Sequence, residues 1–200
     1  MLIFTLFLMI FTGTGRNHSS TYLYTQNKFN WGVSDYTNYM SFYVGMAIIR
    51  TFITTPVYCY GLKLHDCMLA ATGLIMSIAN NCIVGTATQS WMMYYAAAIT
   101  VIGSLDSTPI RSLISKMVDP TEFGKVFTFA ATASAVAGLL TESVYQEIYY
   151  STISSQPGTV FLVAAGMLSI SVVMLFCLYS RIVKFERKHG TLTGKLHPIE

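Results

Sequence analysis

Four charged residues lie within or beside long apolar stretches of this 200-residue chain: Arg50, Asp106, Arg111 and Glu142. A charge inside a membrane span is costly and normally faces a cavity or a charged partner, so each of them is a candidate for binding an ion or a solute. An arginine offers a permanent positive charge and a planar fork that suits a carboxylate. A carboxylate, in contrast, can accept and release a proton.

Arg50 and Asp106 are expected at a similar depth in the membrane. Each lies about 15 residues into its predicted span, which at about 1.5 Å per residue is roughly 22 Å from the outer face. We therefore predict that Arg50 and Asp106 pair or share a polar pocket. The alternative is that both reach the cytoplasmic interface separately.

Glu142 follows a series of small residues on one predicted helix. Ala130, Ser134, Gly138 and Glu142 recur every four residues and therefore share a helix face. Small residues at this spacing allow another helix to approach closely. Two readings of Glu142 remain open: a packing residue near the outer mouth, or a titratable carboxylate that lines an outer vestibule.

The elements that must position these residues are membrane helices. The chain is 53% hydrophobic and 10% charged, with a mean hydropathy of +0.52, whereas soluble domains carry about a quarter charged residues. At about 20 residues per span, six spans with short loops occupy almost the whole chain and leave no room for a soluble catalytic domain, so an enzyme is not expected. We predict an all-α polytopic membrane protein, with a six-helix bundle over residues 1–183 and a basic tail over residues 184–200. The predicted spans are residues 1–25, 35–58, 67–86, 91–110, 126–147 and 159–182.

The distribution of basic residues orients the bundle. Nine lysines and arginines fall in the second loop, the fourth loop and the C-terminal segment, whereas Arg16 and Lys28 lie on the opposite side. Because basic loops stay in the cytoplasm, the C-terminal tail is predicted to be cytoplasmic. The tyrosines concentrate toward the outer ends of the spans, where most are expected to form an interfacial aromatic belt.

Several kinds of ligand are not expected. The sequence contains no glycine-rich nucleotide loop, and its four cysteines lack the spacing of a metal site. We therefore expect no cofactor and no bound metal. A chain this apolar is also not expected to bind nucleic acid, and the lipid bilayer is its expected surrounding.

Residues 108–119 (TPIRSLISKMVD) and 120–127 (PTEFGKVF) resemble a loop of the solute carrier family that contains the proton-coupled folate transporter, solute carrier family 46. The resemblance continues in residues 145–149 (YQEIY) and 158–167 (GTVFLVAAGM). It implies half of a major facilitator superfamily fold, in which twelve spans form two six-span halves. This chain is similar to the second half. Its expected partner is the N-terminal half or a second copy.

The resemblance also implies a function. Arg111 matches an arginine that the family uses for proton coupling and substrate binding; from its position alone it is equally a basic anchor at a helix end. The implied activity is proton-coupled transport of a small organic anion or similar solute by alternating access, in the plasma membrane or the lysosomal membrane, with protons as the coupling ion. The alternative is a truncated membrane scaffold or regulator that does not transport.

Overall fold

A computed structural model of the chain describes residues 4, 7–8, 10–12, 19–58, 66–103, 107–118, 121–152 and 157–189. Seven helices are defined in these ranges, and the described residues contain no strand. The helices are α1 (Ser19–Phe29), α2 (Val33–Ile49), α3 (Asp66–Thr86), α4 (Ser90–Ile99), α5 (Ser107–Met117), α6 (Phe123–Thr152) and α7 (Thr159–His189). The all-helical fold class is therefore confirmed.

Three helical segments are long and apolar enough to cross a membrane, as judged by length and composition within the described ranges. They are Cys67–Thr86, Phe123–Thr152 and Thr159–Cys177. A shorter apolar segment covers Ser90–Ile102. These segments fit a membrane protein. The six-span arrangement remains a prediction; residues 13–18, in the predicted first span, and residues 190–200 of the tail lie outside the described residues.

The sharp turn between α1 and α2 follows from its residue types. Asn30 has a φ of 52°, a left-handed conformation that asparagine tolerates better than most residues. The Asp35 carboxylate then accepts a hydrogen bond from the backbone N–H of Gly32 at 3.1 Å. This bond satisfies an N–H group at the start of α2, where helices leave such donors unpaired.

Helices α3 and α7 form the centre of the bundle. In α3 the buried residues Cys67, Ala70, Leu74, Ser77, Asn81 and Val84 recur every three or four positions, so they lie on one face. The buried residues of α7 form a similar face, and these two helices make the most extensive contact of any pair. Their closest approach is at Gly85 and Gly158, where a Cβ atom on Gly158 would overlap the backbone of Gly85.

The core divides into two clusters along the bundle. The Tyr24 cluster lies at the end where α1 meets α2 and includes Tyr24, Trp31, Tyr39, Tyr145, Tyr149 and Phe161. The Leu74 cluster lies toward the other end and includes Leu74, Ile110, Ile114, Ala130, Leu168 and Leu175. Tyr24, Tyr39, Tyr145 and Tyr149 are buried inside the bundle, and the interfacial belt expected for most of the tyrosines stays a prediction.

The structure differs from the predicted fourth span, residues 91–110. Helix α4 tightens into a 3-10 turn over Thr100–Ile102 and ends at Gly103, whose backbone is extended with a ψ of 154°. A Cβ atom on Gly103 would lie 2.9 Å from Cβ of Met76, so the chain passes close against α3 here. The end of the predicted span belongs to the separate helix α5. Ile110 and Ile114 lie one turn apart on this helix and are both buried, so α5 has one buried face.

Candidate functional site

Arg50 lies where α2 changes from an α-helix to a π-helix. The π segment covers Arg50–Thr54, and the backbone N–H of Thr55 donates to the carbonyl oxygen of Arg50 five residues earlier. The hydroxyl of Thr55 donates to the same oxygen at 3.1 Å. Single π-helical turns inside α-helices are rare and occur frequently at functional sites.

The side chain of Arg50 turns into the bundle. The residue is half-buried, and its Nε atom is fully buried without a hydrogen-bond partner among the described residues. The π segment packs against the 3-10 turn that ends α4. Near this contact, the hydroxyl of Tyr58, which follows the π segment, donates a hydrogen bond to the carbonyl oxygen of Ile102 in the 3-10 turn at 2.7 Å. Two irregular helical segments therefore meet beside an arginine.

The other three predicted site residues are described to different extents. Arg111 is exposed on α5, one residue after the buried Ile110. Asp106 lies outside the described residues, so its pairing with Arg50 stays a prediction. The backbone at Glu142 belongs to α6, but its side chain is not described, and its role also stays a prediction.

Of the small residues that recur every four positions on α6, only some are in contact with another described helix. Ala130 is buried, and the hydroxyl of Ser134 donates to its carbonyl oxygen at 2.6 Å. At Gly138, however, a Cβ atom would meet nothing within 4 Å. The fully buried residues Ala137, Thr141 and Tyr145 lie on a neighbouring face. The face that carries Gly138 is therefore open in this chain.

Sequence analysis missed a polar group at the Tyr24 cluster. A small pocket of about 20 Å³ is lined by Thr21, Tyr39, Met40, Tyr43, Asn80, Val84 and Phe161. The side-chain amide of Asn80 donates to the carbonyl oxygen of Ala96 at 2.6 Å, and that of Asn81 donates to the carbonyl oxygen of Ser77 at 2.8 Å. The available signal was two adjacent asparagines in the apolar stretch 78–84.

Lys28 lies at the same end of the bundle and contacts Tyr24. Its ammonium group donates to the Tyr24 hydroxyl at 3.1 Å, and that hydroxyl donates to the carbonyl oxygen of Val84 at 2.7 Å. The same ammonium lies 5.2 Å from the centre of the Tyr24 ring, within the range of a cation–π contact. Partial burial of Lys28 lowers the pKa of its ammonium group. The chain of bonds ties the end of α1 to the end of α3.

Asn80→Leu is expected to destabilise the protein by about 1 kcal/mol, because it removes a buried hydrogen bond between two membrane helices while keeping the side-chain volume. The measurement is the thermal unfolding midpoint of the detergent-purified protein. Asn38→Leu is the matched control, since Asn38 is exposed on α2. Equal midpoints for the two variants would contradict the structural role of the bond between Asn80 and Ala96.

Comparison with known proteins points to one family. Over 200 residues, the chain is 27% identical to a lysosomal proton-coupled steroid conjugate and bile acid symporter of Mus musculus. The aligned region covers 100% of this chain and 42% of that protein. It is 26% identical over 176 residues to a probable peptidoglycan muropeptide transporter of Drosophila melanogaster, covering 85% of this chain and 33% of that protein. It is 26% identical over 112 residues to the proton-coupled folate transporter of Rattus norvegicus, covering 56% of this chain and 24% of that protein.

No protein-family profile matches the chain. The relatives nevertheless include proteins named as members of solute carrier family 46, so the resemblance drawn from residues 108–167 is confirmed. The chain spans less than half of the length of these relatives. They are named as transporters and not as enzymes, which agrees with the expectation that this chain is not an enzyme.

Proposed function

We propose that this chain forms the C-terminal half of a secondary transporter, which moves a small organic anion or a similar solute together with protons by alternating access. The observation that carries the proposal is the similarity of all 200 residues to a proton-coupled symporter. The interrupted helices α2 and α4 support it, since transporters of this kind build solute sites from discontinuous helices. A lysosomal or plasma membrane location and a cytoplasmic C-terminus belong to the same proposal.

The proposal requires a second six-helix bundle, and two open helix faces support one. In the most apolar stretch of α6 only 11% is buried inside the chain, compared with 44% in that of α3. On α2, a shallow groove of about 470 Å³ is lined by Thr37, Met40, Ser41, Val44, Gly45 and Ile48. Small residues lie on both faces: Ser41 and Gly45 on α2, and Ser134 and Gly138 on α6. Such residues favour contact with another helix over contact with lipid.

The size of the native product tests whether the second bundle belongs to the same polypeptide. An antibody against residues 184–200 is expected to detect a band of about twice the 22.2 kDa of this chain or more, because the relatives are more than twice as long. A band at 22.2 kDa would direct the search to a second copy. If that product also transported no solute, the scaffold alternative would replace the proposal.

Uptake into proteoliposomes tests the transport activity itself. The intact product is expected to take up at least one of four radiolabelled solutes, a bile acid, a steroid sulfate, a folate or a muropeptide, faster with an inward proton gradient than without one. A protonophore is expected to abolish the difference. Uptake that ignores the gradient for every solute would contradict proton coupling.

Arg111→Gln is expected to lower this uptake at least tenfold. Arg111 is an exposed cation on α5, next to the buried Ile110, so the side chain is available to a solute and its loss need not disturb the core. Lys125→Gln is the matched control, because Lys125 is an exposed cation at the start of α6. Normal uptake by Arg111→Gln would leave Arg111 as a helix-end anchor only.

A further inference from the structure

We propose that Arg50 binds the anionic group of the transported solute, a carboxylate or a sulfate, at the junction between the π segment of α2 and the 3-10 turn that ends α4. This inference rests on the proposed transport function and assigns a binding residue to it. Four features of the structure support it: the apolar surroundings of Arg50, the partial burial of its side chain, the backbone around it and the chemistry of the guanidinium group.

Arg50 lies within a stretch whose exposed surface is largely apolar. It follows Val33, at the start of α2, by 17 positions, which at about 1.5 Å per residue corresponds to roughly 26 Å. Before it, Ile48 is 53% exposed, and beyond it Phe52 and Ile53 are 75% and 59% exposed, with the exposed Thr51 in between. Exposed apolar residues therefore lie on both sides of Arg50 along the helix, and a charge in such surroundings normally has a partner.

Part of the Arg50 side chain is nevertheless buried. Phe52, Ile53 and Val57 face outward, whereas Arg50 is half-buried and its Nε atom is fully buried. A buried guanidinium N–H without an acceptor is costly, because its desolvation is not compensated. Among the described residues nothing accepts a hydrogen bond from this Nε. An anionic ligand would supply the missing acceptor.

The backbone around Arg50 departs from regular α-helix on both sides of the contact. The π turn widens α2 at Arg50, and the 3-10 turn narrows α4 before the extended Gly103. The two segments are in contact, and the bond from the Tyr58 hydroxyl to the Ile102 carbonyl holds them together. Interrupted helices near the middle of a transporter bundle are where solutes bind in this class of protein.

The guanidinium group then defines what is bound. It presents a planar fork that pairs with two oxygen atoms of one anion. Carboxylates and sulfates both offer such a pair of oxygens.

The test is direct binding to the detergent-purified intact product that contains this chain, which does not require transport. The probes are a steroid sulfate and a bile acid, with the unconjugated steroid as the uncharged counterpart of the sulfate. Arg50→Gln is expected to weaken binding of both anions at least tenfold and to leave the affinity for the uncharged steroid within twofold. Arg50→Lys is expected to fall between the two, because it keeps the charge and loses the fork. Lys125→Gln is the control.

Unchanged anion affinity in Arg50→Gln would overturn the inference, and so would an intact product that binds neither anion. A combined variant, Arg50→Asp with Asp106→Arg, separates ligand binding from an internal ion pair. We expect this exchange to leave anion affinity low, whereas restored affinity would mean that Arg50 serves only as the partner of Asp106.

If Arg50→Gln does not fold, Arg50→Lys and the exchange variant provide the test. Absence of all proton-driven uptake would refute the transport function itself, and normal uptake with normal anion affinity in Arg50→Gln would refute only this inference.

Discussion

Replacing Gly158 by alanine is expected to prevent normal assembly of the bundle. A Cβ atom at this position would overlap the carbonyl oxygen of Gly85 and lie 2.9 Å from its carbonyl carbon and 3.2 Å from its Cα atom. All three are backbone atoms of α3, so no side chain can rotate to make room. The start of α7 would have to move away from the end of α3, along the helix pair with the most extensive contact in the described structure.

The expected cost of Gly158→Ala is about 3 kcal/mol, at the upper end of the range for an overpacked core, because rigid backbone must shift. The measurement is the fraction of monodisperse protein after detergent extraction, together with its thermal unfolding midpoint. Gly166→Ala is the matched control: Gly166 lies on the same helix α7, and a Cβ atom there would meet nothing within 4 Å. Gly166→Ala should be neutral or slightly stabilising, since alanine favours a helix over glycine.

Gly85→Ala should cost less than Gly158→Ala. Its Cβ atom would lie 3.1 Å from the carbonyl oxygen of Gly158 and 3.2 Å from Cγ of Leu162, and the leucine side chain can yield. The order of the three variants, with Gly158→Ala the least stable and Gly166→Ala the most stable, is a sharper test than any single value. The reverse order for Gly158 and Gly166 would mean that the two helices do not cross at Gly85.

Composition and apolar run lengths were sufficient to predict the all-helical class and the approximate positions of α3, α6 and α7. These helices consist of long apolar segments bounded by polar residues, and their length alone distinguishes them from strands or loops. The family resemblance came from a different source, the polar segment before α6, which contains helix α5. Its polar residues are less interchangeable than the aliphatic residues of a span, so a short motif there is more specific.

The irregular helical segments could not be predicted in the same way. The π segment at Arg50 and the 3-10 turn at Thr100 contain residue types, such as threonine, isoleucine and valine, that also occur in the α-helices around them, and they differ from those helices in which carbonyl accepts each N–H bond. Contacts between distant segments decide that choice. The break at Gly103 was visible only as one glycine in an apolar stretch, and glycines also occur inside unbroken helices, as Gly138 does in α6.

Which tyrosines are buried could not be predicted for a related reason. A tyrosine near the end of a span fits a membrane interface and a bundle interior equally well, because its ring is apolar and its hydroxyl needs one partner. Tyr24 finds that partner in the carbonyl oxygen of Val84, 60 residues away in the sequence. Only the packing of α1 against α3 reveals the pairing, and the same packing makes Tyr24 the residue whose truncation should be most damaging at this end.

Tyr24→Ala is expected to cost about 3 kcal/mol, as large aromatic truncations in packed cores do. Tyr24 is fully buried, its ring centre lies 4.9 Å from that of Phe161 on α7, and its hydroxyl bonds to Val84 and Lys28. The truncation would therefore leave a cavity, remove one of two donors to the Val84 carbonyl oxygen and leave an ammonium group without its oxygen partner. The measurement is the thermal unfolding midpoint in detergent.

Tyr24→Phe separates packing from hydrogen bonding at this position. It keeps the ring and removes only the hydroxyl, so the expected cost is about 1 kcal/mol. Tyr95→Ala is the matched control, because Tyr95 is 55% exposed on α4 and its removal should change stability by less than about 0.5 kcal/mol. If Tyr24→Ala and Tyr95→Ala proved equally mild, α1 would not pack into the bundle through Tyr24. If Tyr24→Phe were as damaging as Tyr24→Ala, the hydroxyl and its bonds to Val84 and Lys28 would dominate, and α1 would be held mainly by polar contacts.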